Sequence, residues 1–498
     1  VNKTAKTILA AGLALAVATP ALAELKVTGN YRLMGYNNEL KNKNYEDGDS
    51  QSWVDQRLRL GVVNTLNDNV SITYLAEIDT DWGNGTSTKY PGGQGGGFDG
   101  DGVNVESKWI FLDIKSGDTS ARLGLQNYAD EFEGLVVNGD MTGAAVKHKI
   151  GNTSIGLLYA KWDENDGDSV QNGVYTAGQS RANAARSNWD DTDFYGVTVS
   201  QKFSDTFKAG AAIYYLDAND VQDPRSNVAG SSAYILGVSG SNNGFGEWGN
   251  QAIATTLADK LDAEVFFYGL NAAATFGDFS IDGFAILQDG KLNIDVAGAD
   301  DEDSKAWAAS VKGKMKLSNG DIGLRAIYIS EDDDADDNGY WMGSFGEYDF
   351  VGENQMIFLT DKFVCNATKE RYAMDDAARQ GFGLMAFVLS GNHTLPDNMY
   401  VNWGAGYYLA VDDERNDKDT PYVSGNYLNT DERDGKTLGY ELALRVGKKF
   451  FEKVDVSLNA AFADFGSFYD DTVTDVNGGG LSDPDSIYKT YLMVNVPF

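Results

Sequence analysis

From Leu25 onward the chain alternates apolar and polar positions with a period of two, in segments of about ten residues. The clearest are LKVTGNYRL (25 to 33), QRLRLGVV (56 to 63), VSITYLAEI (70 to 78), KTLGYELALRV (436 to 446) and KVDVSLNAAF (453 to 462). Each predicts a strand with one apolar face. A helical period over a comparable length is suggested only within 354 to 380, inside a long connection. The expected fold class is therefore all-β.

The connections fall into two kinds. Tight turns such as NTLNDNV (64 to 70), KSGDTS (115 to 120), KIGNTS (149 to 154), FGDF (276 to 279) and SNGD (318 to 321) alternate with long polar stretches. Those stretches are 37 to 52, 82 to 104, 163 to 190, 218 to 261, 331 to 380, 412 to 435 and 466 to 485. Short turns at one end and long loops at the other are the layout of a transmembrane antiparallel β-barrel, with periplasmic turns and outer loops. Strand starts are expected near 25, 53, 70, 105, 120, 142, 153, 191, 206, 262, 279, 305, 321, 381, 398, 436, 453 and 486. The count is 18, with 16 as the alternative, and both termini are periplasmic.

Register then assigns faces. Leu58, Leu60 and Val62 oppose Arg57, Arg59 and Gly61, and Leu438, Tyr440, Leu442 and Leu444 oppose Glu441 and Arg445. A charge on the lipid face costs about 2–4 kcal/mol at the midplane, so the apolar set faces lipid and the charged set the lumen. The same rule sends Arg32, Arg122, Lys147, Lys149, Lys312, Lys314 and Arg325 inward. A lumen lined by charge holds water rather than a packed core.

Composition supports this picture. The 498 residues include 57 glycines, 7 prolines, 26 tyrosines and 24 phenylalanines, as expected for strands joined by Gly/Asn/Asp turns. Residues 1–23 read as a secretory signal peptide: Lys3 and Lys6, an apolar run from Ile8 to Val17, then Ala21-Leu22-Ala23. Residues 24–498 are then a single barrel domain. The formal net charge of −34 argues against nucleic acid as a partner and for a solvated, cation-attracting surface. Cys365 is the single cysteine, which excludes an internal disulfide.

Candidate chemistry lies in the lumen. Arg57, Arg59, Arg122 and Lys147 form a possible basic patch on one wall. The connection YADEFEGLVVNGD (128 to 140) carries Asp130, Glu131 and Glu133. If it folds inward, these carboxylates face the patch across a constriction and select solutes by charge. The alternative is that the arginines pair along the wall with Asp55, Glu77 and Asp79. In EDDDADDNGYWMGSFGE (331 to 347), Asp334, Asp336 and Asn338 match the first half of a calcium loop, but the twelfth position is Phe345 rather than Glu. It reads as a solvated acidic loop or a weak Ca²⁺ or Mg²⁺ site, able to bridge to lipopolysaccharide phosphates. No other cofactor is expected. The two histidines are poorly placed for catalysis: His148 reads as lipid-facing and His393 as lying in a turn, so the chain is not expected to be an enzyme. Tyr36, Trp53, Trp82, Trp162, Tyr215, Tyr408 and Tyr488 are candidates for interfacial girdles.

The signal peptide, QRLRLG, the run from Asp81 to Tyr128 with its R-L-G-L-Q, LVVNGDMTGAAV (135 to 146) and the terminal YLMVNVPF together resemble Gram-negative porins, most closely the homotrimeric porins of sulfate-reducing and related bacteria. The resemblance implies a general diffusion channel in the outer membrane, a homotrimer, narrowed by a loop. Two alternatives are the barrel sheath of a porin–cytochrome electron conduit and a substrate-selective uptake channel. Phe498 resembles the terminal aromatic that the barrel-assembly machinery reads.

Overall fold

The computed structural model describes residues 24–39, 51–83, 96, 105–164, 191–218, 233–234, 252–253, 261–294, 301–332, 337–339, 341–343, 358, 373, 377–378, 381–414, 433–470, 473–474, 481–484 and 486–498. Residues 1–23, including the signal-peptide assignment, and most of 354 to 380 lie outside them.

Eighteen long strands form the barrel: β1 (Glu24–Glu39), β2 (Gln51–Asn67), β3 (Val70–Asp81), β4 (Glu106–Ser116), β5 (Thr119–Ala129), β6 (Asn138–Ile150), β7 (Thr153–Glu164), β8 (Asp191–Lys202) and β9 (Phe207–Ala218). They continue as β10 (Leu261–Phe276), β11 (Phe279–Ile294), β12 (Glu302–Leu317), β13 (Gly320–Ile329), β14 (Leu384–Leu395), β15 (Met399–Leu409), β16 (Thr437–Phe450), β17 (Val454–Phe465) and β18 (Ile487–Pro497). Every expected strand is present, its start displaced by four residues at most. Each pairs antiparallel with its sequence neighbours, and β18 pairs with β1 from Asn30↔Pro497 to Glu39↔Tyr488, closing the sheet. Closure satisfies the backbone groups that lipid cannot. One end carries eight turns of two to four residues; all the longer connections lie at the other.

The outer face is apolar. Leu60, Leu157, Leu270, Leu287, Leu442 and Leu492 all stand exposed on it. Along the outer-loop end, Tyr159, Tyr195, Tyr215, Phe266 and Tyr268 form a continuous row of ring contacts across β7 to β10, with successive centroids 5.4, 6.1, 4.4 and 5.8 Å apart. This is an interfacial girdle.

Three of the expected girdle residues point the other way. Tyr36 and Trp53 share the inward face with Arg32 and Arg57, and stack at 4.5 Å. Tyr408 is fully buried, its hydroxyl donating to Glu441. The cause is register: an aromatic near a strand end faces lipid only when its parity matches the apolar set. Leu438 is a second correction. The β15–β16 ladder skips it between Tyr408↔Gly439 and Leu409↔Thr437, and this bulge turns it from the lipid face into the interior, where it is fully buried. His393 belongs to β14 rather than to the turn after it, accepting from Trp403 Nε1 at 3.2 Å.

The interior departs most from the sequence reading. An inward apolar cluster lines the outer half of β8 to β17, including Phe194, Phe267, Ile286, Ile327, Ala386 and Val388. A charged lumen would leave these positions wet; they are buried because inward segments cover them.

Candidate pore constriction

The segment between β5 and β6, Asp130 to Val137, folds into the barrel. Asp130 shapes it. One carboxylate oxygen accepts the Phe132 and Gly134 amides at 2.6 and 3.0 Å, and the other accepts Val136 and Val137 at 2.7 and 2.6 Å. Four backbone donors that would otherwise be buried without partners are thus satisfied by one side chain. The chain reverses at Glu133 and Gly134, with φ of 61° and 87°. A non-glycine residue rarely adopts this conformation, and it aims the Glu133 side chain at the far wall.

That wall is the other half of the barrel. Arg325 of β13 donates to the Glu133 carboxylate. β13 lies eight strands from β5 in an eighteen-strand ring, almost diametrically opposite. Tyr214 of β9 donates to the Glu131 carboxylate and sits 3.2 Å from the Tyr128 hydroxyl, while Asn271 of β10 donates to the Glu131 carbonyl at 3.3 Å. Phe132 packs edge-on to Tyr214 and against Phe284. Its ring lies directly over Gly269, where a methyl group would sit 2.1 Å from it.

A second inward segment comes from the connection between β13 and β14. Trp341 is fully buried; its indole N–H donates to the Leu135 carbonyl at 3.3 Å, and its ring meets Phe267 edge-on at 5.8 Å. The Met342 amide donates to Gln288 Oε1 at 2.7 Å. Further along, the Phe358 amide donates to Glu441 at 3.0 Å and its ring stacks on Tyr408 at 4.9 Å. The two connections therefore touch each other inside the barrel. The sequence marks this second segment only by Trp341-Met342, an apolar pair inside an otherwise acidic stretch.

The basic patch does not face the loop. Arg57 holds Asp79 through Nε and Nη2, at 2.6 and 3.0 Å, and Arg59 holds Glu77. Arg122 holds Asp113 the same way at 2.8 and 3.0 Å and lies over the Phe111 ring. Arg445 pairs with Asp455 at 3.1 Å. Lys147 stands exposed on β6 beside Ser120 in register, near the short-turn end. The loop does fold inward, but its carboxylates meet Arg325, Tyr214 and its own backbone, while the wall arginines pair along the wall. Asp334 and Asp336 lie outside the described residues, as does the side chain of Asn338, whose backbone runs parallel to β12 beside Ser304.

In structure the chain is similar to Pseudomonas aeruginosa OccK8 (OprE), with a TM-score of 0.51 at 11% identity, covering 95% of this chain and 98% of that one. It is also similar to Pseudomonas aeruginosa OccK9 (OpdG), with a TM-score of 0.50 at 9% identity and coverage of 95% and 99%. No protein-family model matches the chain, and no curated protein matches it in sequence. At such identities the likeness is one of fold. The fold is an outer-membrane barrel. A closed sheet with an apolar outer belt and an aromatic girdle is stable only across a bilayer, and a barrel of this kind belongs in the Gram-negative outer membrane.

Proposed function

We propose that this barrel is a passive channel for small hydrophilic solutes and ions, narrowed by the Asp130–Val137 segment. The observation that carries the reading is the Glu133–Arg325 contact, which ties a segment rooted at β5 to the opposite wall. The fold shared with the two Pseudomonas aeruginosa barrels supports it. With five inward arginines each holding a carboxylate, the lumen wall adds little net positive field, and the acidic outer surface favours cations. Purified protein in a planar bilayer should give discrete conductance steps, with a reversal potential in a salt gradient on the cation-preferring side. Absence of steps overturns the channel reading, and strong anion preference overturns the charge reading.

General diffusion is our first reading. Selective uptake is the second, favoured by the convergence of Tyr128, Tyr214, Glu131, Glu133 and Arg325 at one level. Liposome swelling separates them: rates that fall smoothly with solute size support general diffusion, and saturation by one solute class supports selectivity. A sheath around a cytochrome needs an unobstructed lumen, which two inward segments do not leave. Homotrimeric assembly belongs to this proposal through the likeness to trimeric porins, and a monomeric mass in detergent would remove it.

A further inference from the structure

In the short-turn half of the barrel the outward side chains are almost free of charge. Among the described strand residues there, the outward set holds no arginine, aspartate or glutamate, and its one lysine is Lys448 of β16. Lys448 shares the parity of Leu442 and Leu444, and its register neighbours are Met399 on β15 and Val456 on β17. Its ammonium lies 5.5 Å from the centre of the Phe450 ring, and no carboxylate pairs with it among the described residues. Lys449, by contrast, faces the lumen opposite Asp455. A lysine on the lipid face is tolerated only near an interface, where its head can meet water or an anion.

The turn that follows is unusual in a second, independent way. Beyond Phe450 the chain reverses through Phe451 and Glu452, both left-handed, with φ of 49° and 66°. Other left-handed positions at this end are filled by Gly117, Gly151, Gly277 and the pair Asp397-Asn398, residue types that adopt the conformation at little cost. A phenylalanine there is strained. Packing within the described residues does not offset the strain, because Phe451 is 91% exposed, against 66% for the next most exposed large apolar side chains. Glu452 and Lys453 are exposed beside it.

A strained aromatic held clear of its own protein, two turns of sequence from the only lipid-facing lysine of this half, points to an occupant outside the chain. That occupant must offer an anion to Lys448 and apolar surface to Phe450 and Phe451. A soluble partner would have to enter the lipid-facing belt to do so; a phospholipid is already there. We propose that the end of β16 and its turn hold the headgroup of an anionic phospholipid of the periplasmic leaflet, with Lys448 and Lys453 on the phosphate and Phe450 and Phe451 against the glycerol and upper acyl chains. A net negative headgroup is favoured over a zwitterionic one because it carries no ammonium to compete with the lysines. The site rests on the barrel fold and not on the channel reading. A barrel that passes no current would still retain the lipid.

The test is native mass spectrometry of the full-length barrel in a zwitterionic detergent, titrated with phosphatidylglycerol or phosphatidylcholine. A single phosphatidylglycerol should be retained in preference to phosphatidylcholine. Lys448→Gln and Lys453→Gln should each cut that preference about fivefold, the effect of one lysine near an anionic surface, and raised salt should weaken it in the wild type. Phe451→Asn suits the left-handed turn, so its urea midpoint in detergent alone should rise while its retention of phosphatidylglycerol falls. A turn that served the fold alone would not give these opposite shifts. Should a lysine variant fail to fold, the salt dependence of the wild type carries the same test. Equal retention of the two lipids, a preference that salt does not weaken, or one undiminished in the folded lysine variants would each overturn the proposal. Displacement of the lipid by excess inorganic phosphate would overturn it by assigning the lysines to a soluble anion, and a lipid-independent dimer lost in Phe451→Asn would do so by assigning the turn to a second copy.

Discussion

The two halves of this barrel's interior solve the same problem differently. Along β1 to β5 and β16 to β17, inward charges are matched across the ladder: Arg57 with Asp79, Arg59 with Glu77, Arg122 with Asp113, Arg445 with Asp455. Across the outer half of β8 to β17, inward positions are mostly Ala, Ile, Leu, Val, Phe and Tyr, with a few polar groups such as Gln288 and Glu441, buried beneath chain that folds in from two connections. The first wall is polar and needs no cover. The second is apolar and would be unstable against water without it, so the inward segments are part of the fold as well as of the pore. What narrows the lumen is thus held by the same burial that stabilises the outer half.

The most forceful way to break this arrangement is Asp130→Ala. It removes the acceptor of four backbone amides, and hydrogen bonds to a charged group are worth about 1.5–3 kcal/mol each. Even with partial relaxation, the loop should lose about 3 kcal/mol or more of local stability and leave the lumen. Single-channel conductance should rise several-fold; an unchanged conductance would show that the narrowest section lies elsewhere. Trp341→Ala comes next. Truncating a buried tryptophan costs about 3–5 kcal/mol, and here also removes the donor to the Leu135 carbonyl. The urea midpoint of the detergent-solubilised barrel should fall, and conductance should rise less than with Asp130→Ala, because Asp130 and Arg325 still hold the first segment.

The polar wall should respond in charge rather than in structure. Asp79→Asn leaves Arg57 with Glu77 at 3.6 Å as a weaker partner, and the cost is about 1–3 kcal/mol, since the Asp79 side chain is a quarter exposed. Its clearer effect is on selectivity: the reversal potential should move toward anions. Arg57→Met should move it toward cations. A double replacement should restore the original value, and failure to do so would show that the pair is not the unit of charge on this wall.

The same contrast decides which parts of the fold are legible in the sequence. The strands are legible because lipid on one face and a polar lumen on the other impose a period of two, clearest along β1, β2, β3, β16 and β17. The wall pairs are legible as alternatives: Arg57, Arg59, Asp79 and Glu77 share the inward parity, and only geometry chooses between pairing with each other and facing the loop. Leu438 was not legible, because a bulge shifts parity without leaving a mark in composition. Nor was the apolar half of the interior. An inward Ile286 or Val388 beside an outward Leu287 or Leu389 makes an unbroken hydrophobic run, and such a run does not say which face is lipid and which is protein. In the sequence Asp130 reads as a pore-lining charge, whereas its effect comes from accepting amides of its own loop.

The smallest expected effect lies at the seam where the two ends of the sheet meet. Phe498 continues the β18–β1 ladder, with its amide and carbonyl both bonded to Gly29 at 2.9 Å, and its ring lies over Gly29 on the outer face, where a methyl group would come within 2.2 Å. The ring fills the space that a side chain at 29 would occupy, as aromatics do beside glycines in sheets. Lipid replaces it at little cost, because the hydrophobic effect does not act between two apolar phases, and only packing is lost. Phe498→Ala should therefore lower the stability of barrel refolded into liposomes by about 1 kcal/mol or less, with the backbone pairing intact. Yield in the outer membrane of living cells is a separate measurement. If Phe498 is also read during assembly, yield should fall far more than that stability loss accounts for; a fall in proportion to stability would confine the residue to packing over Gly29.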